Sequence, residues 1–150
     1  MKKKYYVAFV CIIIAVALFE SFNPYRINGL RVLEKEVENF KYFTSSIFER
    51  EYKSSKNRAF IQLQFTDDLE IEPVEVVAFY EGEFEKNGWT RVVERPKFFS
   101  GRSTYLESHM YKKDNAYCRI YFQSDYRNTP GKIRYYLQAV KEISLFGKEG

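Results

Sequence analysis

Residues 104–124, TYLESHMYKKDNAYCRIYFQS, alternate apolar and polar side chains on both sides of the pair Asp114-Asn115. Period-two alternation interrupted by a short Asp/Asn turn is the pattern of two antiparallel strands joined in a hairpin. Residues 132–141, KIRYYLQAVK, continue the alternation after a connection containing Asn128, Pro130 and Gly131. Upstream, Trp89 to Val93 begins the series as a further strand. The C-terminal half therefore predicts a four-strand antiparallel meander.

Working outward, Pro73 suits the first turn of a helix, where its missing N–H has no intrahelical partner. Val77, Tyr80 and Phe84 then recur at helical spacing until Asn87-Gly88 stops the run, with Gly88 suited to a left-handed C-terminal cap. Ala59 to Phe65 alternates as a half-buried strand, with Ile61, Leu63 and Phe65 against Gln62 and Gln64. Between Leu30 and Tyr52, the residues Leu33, Val37, Phe40 and Ile47 form a helical stripe flanked by Phe43 and Phe48, and the polar run Lys53 to Arg58 ends it. The expected class is α+β: an antiparallel sheet of about four to five strands covered on one face by two helices, preceded by an N-terminal membrane anchor or signal segment.

That segment is MKKKYYVAFVCIIIAVALFESF, residues 1–22. Three lysines before an unbroken apolar run form an export address. The run from Tyr5 to Phe19 is 15 residues, between the length of a signal-peptide core and that of a spanning helix. Tyr5 and Tyr6 at one end, with Phe19, Phe22 and Tyr25 at the other, resemble interfacial aromatic belts and favour an uncleaved anchor. The alternative is export after cleavage near Ala17. Lys2, Lys3 and Lys4 then stay on the cytoplasmic side, and the chain is expected as a single-pass protein of the cytoplasmic membrane with its domain outside. Cys11 follows Val10 rather than the small residue a lipidation signal needs. Residues 23–29 read as a linker, 30–146 as one extracytoplasmic domain and 147–150 as a tail.

Removing Lys2 to Lys4 from the 24 basic residues leaves 21 against 20 acidic ones. A near-neutral exported domain lacks the positive field that nucleic acid requires, which excludes that partner. Cys118 has no exported partner for a disulfide and sits in a strand pattern as a small core residue. His109 is the only histidine, so a histidine metal site and a catalytic triad are both hard to build. The acidic cluster Asp67, Asp68, Glu70, Glu72 and Glu75 matches no calcium loop and suits the positive end of the helix that follows. No catalytic, cofactor or metal residue is assigned, and the chain reads as noncatalytic.

Aromatic and basic residues supply the candidate surface. If Leu106, Met110, Cys118, Ile120 and Phe122 face the helices, alternation turns Tyr105, Glu107, His109, Tyr111, Tyr117, Arg119 and Tyr121 to the other side, joined by Arg134 and Tyr136. Tyrosine and arginine are enriched at binding hot spots, so this open face is the expected site for another envelope protein. Plain sheet stabilisation by cross-strand tyrosines is the competing reading. A second candidate is the loop RPKFFSGR, residues 95–102, whose Phe98 and Phe99 either contact the membrane or a partner or fold back on the sheet edge. The sequence thus suggests a membrane-anchored interaction module: an envelope-complex subunit, an assembly factor or an immunity-type protein. The alternative is an envelope enzyme or carbohydrate-binding domain with a cleft at Glu107 and His109.

Overall fold

The computed structural model describes residues 9–15, 18, 24–43, 47–55, 57–68, 70–99, 104–125 and 131–143. The lysines at 2–4, the cleavage position Ala17 and the tail lie outside the described residues. The fold is α+β, built on a seven-stranded antiparallel sheet. In chain order the elements are α1 (Pro24–Glu38), β1 (Ile47–Ser55), β2 (Arg58–Asp68), α2 (Pro73–Lys86), β3 (Thr90–Val92), a 3-10 turn (Lys97–Phe99), β4 (Thr104–Glu107), β5 (Met110–Lys113), β6 (Ala116–Gln123) and β7 (Lys132–Glu142). The strands lie in the order β1-β2-β7-β6-β5-β3, and β4 also pairs with β6. No helix among the described residues is long and apolar enough to cross a membrane.

Two segments depart from the expected fold. The helix expected from Leu30 to Tyr52 begins earlier, at Pro24, and ends at Glu38. Leu33, Val37 and Phe40 are buried as the stripe requires, but Ile47 to Ser55 forms β1, paired through Tyr52↔Ile61 and Arg50↔Leu63 with β2. Pairing with a long neighbouring strand overrides a helical spacing that Ile47 continues by coincidence. The expected linker is also wrong in part, since residues 24–29 are the first turns of α1. Gly29 is there for contact rather than flexibility, because a Cβ at this position would meet Ile143 at 3.0 Å.

The second departure, together with β1, explains why there are seven strands rather than four or five. The run expected as a single strand from Thr104 to Lys112 is broken at Ser108-His109. Glu107 pairs with Tyr121 before the break, and Tyr111 pairs with Cys118 after it, so one extra residue is inserted opposite β6. This is a β-bulge, and it reverses which face each later side chain occupies. The Ser108 Oγ stands in for a ladder carbonyl, accepting the Ile120 N–H at 3.0 Å.

The main core joins Leu33 and Val37 of α1 and Val76, Val77, Tyr80 and Phe84 of α2 to Ile61, Leu63, Phe65, Ile120, Phe122, Tyr135 and Leu137 of the sheet. Both helices thus bury their apolar sides in one layer. Tyr135 donates to Asp67 at 2.8 Å, which satisfies a phenol and a carboxylate inside this layer. Glu83 reaches the chain after α1 and accepts the Lys41 N–H at 2.9 Å; that bond holds its carboxyl below the ordinary range. Cys118 is fully buried, and burial pushes its thiol well above its usual pKa. In a Cys11→Ser chain, a thiol reagent should therefore titrate nothing until the protein unfolds; rapid labelling of the folded protein would contradict this packing.

Helix α2 ends as its sequence suggests. Gly88 has φ +80°, Trp89 N–H donates to Phe84 O at 2.9 Å and Gly88 N–H to Glu85 O at 3.0 Å, the paired bonds of a Schellman cap. A Cβ on Gly88 would meet nothing within 4 Å, so Gly88→Ala should act through backbone strain alone and cost about 1 kcal/mol. Urea unfolding checks this; an unchanged midpoint would refute the assignment.

Candidate functional site: a basic aromatic groove

The face of the sheet away from the main core carries its own apolar cluster, formed by Phe99, Met110 and Val140 with Phe60, Val92, Phe98 and Tyr117 against it. The chain leaving β3 builds this cluster. Val93 is fully exposed, and after Pro96 the 3-10 turn Lys97–Phe99 brings two rings back onto the sheet. Phe98 meets the edge of Tyr117 with ring centres 5.7 Å apart, and Phe99 is buried. Of the alternatives for this loop, the rings take the packed one.

A charged latch holds the loop down. Arg95 forks onto Glu107, Nη1 to Oε1 at 2.9 Å and Nη2 to Oε2 at 3.2 Å, and Nη2 also donates to the Phe99 carbonyl at 3.0 Å. Glu107 Oε2 also accepts from Arg119 Nη1 at 2.6 Å. Arg119 is only 2% exposed. Its Nε donates to Gln138 at 3.0 Å, and its guanidinium lies between the rings of Phe99 and Tyr121, at 4.8 and 4.6 Å. Burial lowers the pKa of this guanidinium, with Glu107 acting against the shift. A planar, weakly hydrated cation suits a site with aromatic faces on two sides and a carboxylate at its end.

Beside the latch, between the loop and the sheet, runs a groove of about 610 Å³. Phe98 and Tyr117 are its rings, and Val92, Val93 and Pro96 supply aliphatic wall. Arg58, Arg95, Lys97 and Lys112 bring four cations to its lining, against the carboxylates of Glu94 and Glu142. Two of the cations rest on rings, Arg58 over Phe98 at 4.6 Å and Lys112 over Tyr117 at 5.5 Å. The strand register brings these groups together: Arg58 pairs with Glu142 across β2 and β7, and Lys112 pairs with Tyr117 across the hairpin. The arrangement suits a ligand with negative charge and some apolar surface.

The residues expected on an open tyrosine-arginine face are distributed differently. Tyr105 and His109 are exposed. Tyr117 lines the groove and Arg134 is half-buried. Arg119, Tyr121 and Tyr136 do turn away from the main core, but they are buried: Tyr121 stacks on Tyr136 at 5.1 Å and donates to Gln62 at 3.0 Å. The face is therefore not open at these positions. Tyr111 is on the opposite side altogether, because the bulge reverses it; it packs on Phe84 and donates to Glu85 of α2 at 3.0 Å. Burial and then that bond push its phenol up to about 12. Met110 exchanges places with it and joins the groove-side cluster.

Glu107 and His109 do not share a cleft. Glu107 is held by two arginines, whereas His109 Nδ1 and backbone N–H both meet Glu81 of α2 at 2.8 Å. Among the described residues no group of three His, Cys, Asp or Glu side chains is placed to hold a metal ion. Sequence reasoning missed Lys112, whose signal is the hairpin register, and missed both Arg58, placed by the long-range pairing of β2 with β7, and the pairing of Arg95 with Glu107, for which the sequence carries no local signal. No known family, curated protein or solved structure matches this chain.

Proposed function

We propose that this chain is a noncatalytic protein-interaction module, tethered by its N-terminal segment to the outer face of a cytoplasmic membrane, that engages another envelope protein at the basic aromatic groove. The observation that carries this reading is the groove itself: ring-supported cations and an aliphatic wall, beside a loop fastened by Arg95, Glu107 and Arg119. Preorganised cations and rings favour capture of a partner because little conformational freedom remains to be lost on binding. For the tether, residues 9–15 are helical, and Phe9, Ile12, Ile13, Ile14 and Leu18 are each more than half exposed. Such a surface favours an apolar medium, and the lysines before it favour the inside orientation. A subunit, an assembly factor and an immunity-type protein would each use such a module. The alternative enzyme or carbohydrate reading draws no support from Glu107 and His109, which are bound to separate partners.

The test is a photo-crosslinking side chain at position 93, in the full-length chain in its native membrane. A single stoichiometric protein adduct is expected. Adducts of lipid or cell-wall glycan alone would overturn the proposal.

A further inference from the structure

We infer that the groove takes an extended, carboxylate-rich peptide segment of the partner, an inference that rests on reading the groove as a protein-docking site. Charge complementarity is the first argument: four cations against two carboxylates line one groove, and Arg58 and Lys112 lie over aromatic rings that restrict their heads. Restricting those heads before binding lowers the entropy lost when a carboxylate arrives. The second argument is the course of the groove, which crosses the strands from Val92 on β3 to Arg58 on β2. Lys112 on β5 and Arg58 on β2 are three strand spacings apart, roughly 14 Å, so a segment that meets both cations must be extended.

The same lining disfavours a phosphate headgroup. Phosphate recognition works best through an open guanidinium fork, and the fork of Arg95 is already filled by Glu107 and the Phe99 carbonyl. Glu94 and Glu142 add negative charge to the lining, which a peptide can meet with backbone N–H donors and a phosphate cannot.

The measurement uses full-length protein in phosphatidylcholine nanodiscs and a fluorescent nonapeptide alternating Glu with Val, beside a twin in which every Glu is Gln. Saturable binding of the acidic peptide is expected, weakening about tenfold or more between low and high salt. The Gln twin should bind at least about tenfold more weakly. Arg58→Gln with Lys112→Gln should reduce affinity for the acidic peptide by about tenfold, with the thermal midpoint nearly unchanged because both side chains are exposed. Equal binding of both peptides, or no loss in the double variant, would overturn the inference. If the position-93 crosslinker captures a protein while the acidic peptide fails to bind, the docking reading stands and the acidic segment falls. If it captures only lipid, both fall.

Discussion

Replacing Glu107 by Ala is expected to destabilise the domain by about 2 to 4 kcal/mol, because it leaves Arg119 charged, buried and without its counter-ion. The Glu107 side chain is 30% exposed, so water will screen part of the loss, which places the expectation below that for a fully enclosed pair. Arg95 should lose its anchor at the same time, so the loop carrying Phe98 and Phe99 should exchange its amides faster than in the parent. The control is Glu107→Leu with Arg119→Met, which removes both charges and should recover most of the stability. Denaturant unfolding of the parent, Glu107→Leu, Arg119→Met and the double variant completes the cycle, with Glu107→Ala measured beside it. A cost below about 1 kcal/mol for Glu107→Ala would mean that the latch holds nothing.

Phe84→Ala should cost about 3 to 5 kcal/mol. Its ring is fully buried and meets Phe40 at 5.2 Å, Tyr111 at 5.2 Å and Tyr80 at 6.2 Å. It therefore connects α2 both to the chain just after α1 and to β5. Removing the ring leaves a cavity between elements too rigidly paired to collapse into it, whereas Phe84→Leu, which keeps most of the volume, should cost less than half as much. Equal losses for the two variants would show that aromatic geometry rather than volume matters here.

Phe84 was legible from the sequence because helix α2 is read from local signals alone: Pro at its start, a 3.6-residue apolar period, and Gly at its end. The inward faces of β6 and β7 are legible for the same reason, since Ile120, Phe122, Tyr135 and Leu137 alternate without interruption and all join the main core. Helix α1 was legible only as far as Phe40. Beyond it, the identity of Ile47 to Ser55 as a strand depends on pairing with β2, a long-range contact that no local period reports.

The open tyrosine face failed for two physical reasons. Unbroken alternation through Ser108-His109 requires a continuous strand, and the inserted residue puts Tyr111 on the helix side. A warning was available: a two-residue turn at Asp114-Asn115 sets Lys113 opposite Ala116 and Tyr111 opposite Cys118, and directly opposed residues share a face. Placing Tyr111 outward and Cys118 inward contradicts that hairpin. The second reason is coverage. Alternation says which way Arg119 and Tyr121 point but not that Phe99 will return over them, so their truncation should cost stability rather than leave it nearly unchanged.

The bulge also bears on which changes of chain length this protein can tolerate. Deleting a single residue at Ser108-His109 would bring Glu107 and Tyr111 into one register opposite β6 and rotate everything from Met110 to Lys113 by half a turn. Tyr111 would leave the helices and its bond to Glu85, and Lys112 would leave the groove for the helix side, which takes from the groove one of its four cations. Substitutions at these two positions alter one side chain each, whereas a deletion inverts a whole strand. In this stretch the count of residues between Glu107 and Tyr111 is a stricter inheritance than their identities.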